Sequence, residues 1–181
     1  MSDSIIIVEP EKQYWFAIKT RRDFEAEKML GAECDEVFFP KETVRTAAGG
    51  DRLRAVIPHV LFIRCTEESA LELERRGRDA ADRIVPFWIY RNLRGDAVQR
   101  ITDREIALMR LLTAEDSTRC EIYGKTDFHE GQRVRVTAGP FAGYEGNVRR
   151  VRKNRHVVVE IEGICAILLP YIHPDLLMAV E

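Results

Sequence analysis

No stretch of this sequence approaches the ~18 consecutive apolar residues that a membrane-crossing helix needs, so a transmembrane reading is excluded. The apolar run Ile5-Ile6-Ile7-Val8 is too short for the core of a secretory signal and has no basic flank, which points to a cytoplasmic protein. Cys34, Cys65, Cys120 and Cys165 lie far apart with no C-x-x-C pair, and read as reduced, partly buried thiols. His59, His129, His156 and His173 have no ligand spacing among themselves or with the cysteines, so no metal site is expected. His129-Glu130 is not followed by the second histidine of a metalloprotease, the run Gly139 to Gly146 lacks the Gly-Lys-Ser/Thr ending of a phosphate-binding loop, and no nucleophile elbow is present. The expectation is a chain with no catalytic residues and no cofactor. Charge of one sign is also lacking. The formal net charge is −2, and basic and acidic residues balance from Asp127 onward. This excludes nucleic-acid binding by the whole surface and leaves only local basic patches.

What is present describes a globular chain. Hydrophobic residues are 45% and charged residues 32%, and 181 residues allow one ordinary domain or two small ones. Tyr14-Trp15-Phe16-Ala17-Ile18-Lys19 reads as a strand, and Trp15 and Phe16 should point to opposite faces, one of them less buried than the other. A helix capped at Thr20 follows and ends at Gly31. Val37-Phe38-Phe39 is a short strand stopped by Pro40, and 47–51 is the tip of a loop or hairpin. Residues 56–63 read as an apolar strand, and Thr66 starts a second helix with Glu67 and Glu68 in its first turn and Arg75 and Arg76 in its last. Residues 84–90 form another strand, and Thr102 with Glu105 caps a third helix. Strands interleaved with helices without a regular βαβ period argue an α+β fold with a mainly antiparallel sheet and flanking helices.

Residues 131–148 are the most informative stretch. Val134 and Val136 alternate with Arg133 and Arg135, the period of a half-buried strand. Pro140 fixes its φ, Gly139, Gly143 and Gly146 permit positive φ or close backbone approach, and Phe141 anchors the turn. Strand signal resumes at Val148 and Val151 and again over 157–161. Several strands in so short a segment must hide their edges, which suggests a small β-barrel. The pattern G-x-x-V-x-V-x-x-G-P-F-x-G-x-x-G-x-V resembles the KOW motif of NusG-type transcription factors and some ribosomal proteins.

The N-terminal half resembles the NusG N-terminal domain in several pieces and in their order. These are Trp15-Phe16-Ala17-Ile18, then Glu27-Lys28 on the helix, Phe38-Phe39-Pro40, and Pro58-His59-Val60-Leu61-Phe62-Ile63. More narrowly, Ile57-Pro58-His59 in place of an aromatic-Pro-Gly, the segment 162–166, and Tyr171-Ile172 are similar to UpxY-type NusG paralogues that antiterminate polysaccharide operons. The resemblance implies an N-terminal domain over 1–118, a linker over 119–127 and an SH3-like KOW barrel over 128–181. It implies a transcription elongation or antitermination factor, with no enzyme activity, that binds the clamp helices of the RNA polymerase largest subunit.

By position, that role falls to Phe16, Ile57, Pro58, Val60 and Phe87, the competing reading being that these side chains, Val60 and Phe87 above all, are domain core. Ile57 and Val60 offer less area than the family's aromatics. Arg149, Arg150, Arg152, Lys153 and Arg155 form a basic cluster suited to nascent RNA or DNA, or equally to solvent. Where general NusG factors carry an aromatic that docks a ribosomal protein or Rho, this sequence has Glu162, and that departure tells against the contact. The competing reading is a ribosome- or RNA-binding KOW module without polymerase contact.

Overall fold

The computed structural model describes residues 11–113, 128–151, 154–170, 172 and 176–180. In chain order the elements are β1 (Tyr14–Lys19), α1 (Asp23–Leu30), β2 (Glu36–Phe38), β3 (Lys41–Arg45), β4 (Asp51–Ala55), β5 (Val60–Cys65) and α2 (Glu67–Arg76). They continue with β6 (Trp88–Ile89), β7 (Arg100–Ile101), α3 (Asp103–Thr113), β8 (Arg133–Val136), β9 (Glu145–Val151), β10 (Asn154–Ile161), β11 (Cys165–Leu168) and β12 (Leu177–Ala179). Two compact units result. The first holds the described residues up to Phe39 with Pro58–Thr102, and the second holds Pro40–Ile57 with those from Asp103 onward. The linker expected over 119–127 lies outside the described residues.

In the first unit an antiparallel sheet runs β2-β5-β1-β6, with β7 also pairing to β1. β1 and β5 are its centre, in a register that sets Phe16 opposite Ile63 and Ile18 opposite Leu61. Trp15 is 3% exposed and Phe16 0%, so the expected difference between them is not found. Four successive buried residues in β1 and four in β5 show why: both faces of these strands are covered, and alternation disappears. Each Val, Leu, Ile or Phe among them contributes roughly 1.5–3 kcal/mol through burial.

The helices follow the sequence with one correction. Thr66 caps α2 by accepting the Ser69 N–H at 3.2 Å. α1 has Arg22 at its N-cap position, with no side-chain cap. Thr20, expected to cap it, is buried. Its hydroxyl donates to the Pro86 carbonyl at 2.9 Å, while its oxygen accepts the Arg22 N–H at 3.2 Å. Thr20 therefore ties the end of β1 to the segment before β6.

Two predicted strands are shorter than read. Of residues 84–90 only Trp88 and Ile89 pair, although Ile84, Val85 and Phe87 are buried. Pro86 has no N–H for a ladder, and its carbonyl is taken by Thr20. Within 56–63 the strand begins only at Val60, because His59 sits at φ 67°, outside extended conformations. That backbone costs a non-glycine residue about 1 kcal/mol. It is held by the Thr20 N–H, which donates to the His59 carbonyl at 3.0 Å.

In the second unit β3 and β4 form a separate two-stranded hairpin, Thr43 opposite Leu53, whose tip at 46–50 was legible in the sequence. Its C-terminal sheet is antiparallel in the order β11-β10-β9-β8-β12. Val134, Val136, Val148, Val157, Val158, Val159, Ile161 and Ile167 are among its buried residues, with Leu169 just after β11. β12 pairs with β8, Leu177 opposite Val136, and was too short to read from sequence. The chain is thus a mixed α+β fold, as expected.

Candidate functional site

The motif at 131–148 forms β8, a tight turn and β9. Gly143 N–H donates to the Val136 carbonyl at 2.6 Å and Val136 N–H to the Tyr144 carbonyl at 2.9 Å, closing the turn. Pro140 is exposed and Phe141 only half-buried, so hydrogen bonds hold this turn more than an apolar anchor does. The glycines serve different ends. Gly139 sits at φ 84° in open space. Gly146 has no unusual φ, but a Cβ there would lie 2.4 Å from the Val158 carbonyl oxygen. Gly143, at φ 81°, accepts a hydrogen bond from the Arg104 guanidinium of α3, which also lies over the Tyr144 ring at 4.9 Å. The Tyr144 hydroxyl returns a bond to the Arg104 carbonyl at 2.9 Å.

Charge on this sheet is largely neutralised in place. Arg133 and Arg135 both pair with Glu145, whose carboxyl is held below its ordinary range first by the Arg135 hydrogen bond and then by the charges of both arginines. Of the predicted basic cluster, Arg149 pairs with Glu160 at 3.0 Å. Arg150 and Arg155 are exposed and stand directly opposite each other across β9 and β10. Arg152 and Lys153 lie outside the described residues. Glu162 is exposed in the turn between β10 and β11, followed by Gly163 at φ 69°.

The residues singled out for a protein partner divide by burial. Phe16, Val60 and Phe87 are buried, so in this structure they offer no area to another molecule. Ile57 is half-buried, and Pro58 and His59 are exposed. Sequence reasoning missed Trp88, which is 54% exposed beside the buried Phe87. Strand alternation from Phe87 carried that signal, since Trp88 must face the other way. Phe24 is likewise exposed, its ring edge-on to Phe39 at 5.1 Å. Asp23 beside it reaches His59 at 3.8 Å, which sets the start of α1 against the entry to β5. Among the described residues no helix is long and apolar enough to cross a membrane, and no three His, Cys, Asp or Glu side chains are placed to hold a metal ion.

Comparison with known proteins agrees with this geometry. The KOW motif family matches residues 130–162, which span β8, β9 and β10. The transcription termination/antitermination protein NusG of Borreliella burgdorferi is 38% identical over 66 residues, 35% of this chain and 36% of that protein. The match thus spans about a third of that relative's length. A solved structure of Thermotoga maritima NusG, described for its domain interaction, aligns over 94% of this chain and 98% of its own, with 16% identity and a TM-score of 0.50. Residues 130–162 carry a KOW motif, and the chain is similar to NusG in fold and, over 66 residues, in sequence.

Proposed function

We propose that this chain is a transcription elongation or antitermination factor that binds RNA polymerase and suppresses pausing or termination. The observation that carries this reading is the occurrence of a KOW motif within a NusG-like fold that extends along nearly the whole chain. The contact surface is the clamp helices of the polymerase largest subunit, met by Ile57 and Pro58 at the entry to β5. Phe16, Val60 and Phe87 hold that strand from within the core. A helix laid on such a surface gains roughly 25 cal/mol per Å² of apolar area buried, before the cost of association. Tighter binding to the closed clamp than to the open one shifts the population away from paused states, with no catalysis required.

The same reading extends to an operon-specific factor of UpxY type. His59 in a glycine-like conformation and Glu162 in the turn between β10 and β11 are the departures from general NusG factors that support it. A carboxylate at 162 disfavours an apolar dock for a ribosomal protein or Rho. Arg150 and Arg155 give the KOW sheet a site for a nucleic-acid phosphate.

Co-purification from cell extract tests the proposal. Wild type should bring down RNA polymerase core, and Ile57→Asp should recover at least ~10-fold less, since a charge in an apolar contact costs more than 1.4 kcal/mol. Ribosomal material without polymerase would replace this reading with the RNA-binding KOW module.

A further inference from the structure

His59 stands at the entry to β5 on a backbone that favours glycine. Among the described residues it alone has a positive φ without being glycine, at 67°. A Cβ in that region crowds the following carbonyl, so glycine adopts it at less cost. The Thr20 N–H, which donates to the His59 carbonyl at 3.0 Å, holds the conformation from the end of β1. That bond uses only the backbone of His59, and glycine would keep it. The imidazole itself does little for the fold. It is 52% exposed, and among the described residues neither ring nitrogen makes a hydrogen bond. Its charged neighbour is the Asp23 carboxylate, whose Oδ2 lies 3.8 Å from Nδ1, too far for a hydrogen bond. Asp23 Oδ1 accepts the Phe24 N–H at 3.0 Å, which fixes that carboxylate in the first turn of α1. A carboxylate beside Nδ1 favours the proton on that nitrogen, and Nε2 is then left as an acceptor. Backbone strain of this kind gathers at sites of contact, where the surroundings hold it.

We propose that His59 is a specificity-determining residue of the polymerase contact, its Nε2 accepting a hydrogen bond from an N–H or O–H side chain of the clamp helices. The inference rests on the reading of Ile57 and Pro58 as that contact surface, since His59 follows them directly in the chain and is exposed with Pro58. Ile57 and Pro58 supply apolar area, which accepts many partners of similar shape. A single directed hydrogen bond adds what area does not, because a partner lacking the donor leaves Nε2 desolvated and unpaired. Glycine at this position has no atom to make that bond. The strained backbone and the selective contact therefore come from the same substitution of histidine for glycine.

The test measures two quantities on the full chain: the Kd for purified RNA polymerase core, and urea unfolding followed by tryptophan fluorescence. In His59→Gly the urea midpoint should rise, because relief of the φ strain outweighs the looser unfolded chain. In the same variant the Kd should rise about tenfold, the scale of one well-placed contact. His59→Asn tolerates this backbone but ends short of Nε2, and should bind as weakly as the glycine variant. Stability gained and binding lost together is a combination that a merely structural residue does not give. Equal Kd for His59→Gly and a wild type that binds would overturn this assignment and leave the polymerase reading standing. No binding by wild type would overturn that reading and this inference with it. A lower urea midpoint in His59→Gly would mean that the imidazole serves the fold, and would overturn the assignment as well.

Discussion

Gly146→Ala should unfold the C-terminal sheet while leaving the first unit intact. A Cβ at Gly146 would sit 2.4 Å from the Val158 carbonyl oxygen, 2.9 Å from the Val158 carbonyl carbon and 2.9 Å from a Val157 methyl. Two of these three atoms are backbone of β10, which is hydrogen-bonded on both sides by β9 and β11. Neither neighbour can give way without breaking the ladder, so the cost is placed at about 3 kcal/mol, the upper end of overpacking. That is a large part of the stability available to so small a sheet. Gly139→Ala is the matched control. Nothing lies within 4 Å of its added Cβ, and the only penalty is φ 84°, about 1 kcal/mol. Amide hydrogen exchange should show lost protection over β8 to β10 in Gly146→Ala and near-normal protection in Gly139→Ala. Both tryptophans, Trp15 and Trp88, lie in the first unit, so their fluorescence should be unchanged in either variant. Normal protection in Gly146→Ala would contradict the close approach.

Glu74→Ala should destabilise the first unit by about 4 kcal/mol. Glu74 is 5% exposed, on the inner face of α2. One carboxylate oxygen accepts the Ile89 N–H at 2.8 Å, and the other pairs with Arg91 at 2.8 Å and Arg78 at 3.3 Å. Removing the side chain strands the Ile89 N–H, which alone costs about 1–3 kcal/mol when buried, and leaves Arg91 without its carboxylate. β6 is only two residues long, so Glu74 adds to the few backbone bonds and the Thr20–Pro86 contact that hold it beside β1. Glu74→Gln keeps the shape and one acceptor and should lose roughly half as much. Urea unfolding followed by tryptophan fluorescence reads both variants. A midpoint unchanged in Glu74→Ala would show that packing alone holds β6.

These two residues differ in how visible they were beforehand. Gly146 stood out because motif glycines recur at fixed offsets, although which of them needs space and which needs positive φ depends on what β10 places nearby. Glu74 gave no signal, since a glutamate within a charged helix reads as solvent-facing until the fold turns that face inward. The same limit applies to Thr20, whose spacing matched a cap but whose hydroxyl serves Pro86 instead. β1 and β5 were legible as strands from their aromatic and branched residues. Their coverage on both faces was not, because alternation predicts one wet face. Phe16, Val60 and Phe87 consequently belong to the core. Ile57, Pro58 and the overlooked Trp88 are among the accessible apolar residues of the described chain. Of the basic cluster, sequence could not show that Arg149 is neutralised by Glu160, a residue eleven positions away that strand pairing brings within 3.0 Å.

Single-round transcription by purified RNA polymerase through a defined pause site tests the account most directly. At saturating concentrations of this chain, the pause lifetime should shorten, and Ile57→Asp should lose most of that effect. A pause lifetime unchanged at saturation would contradict the assignment to transcription elongation.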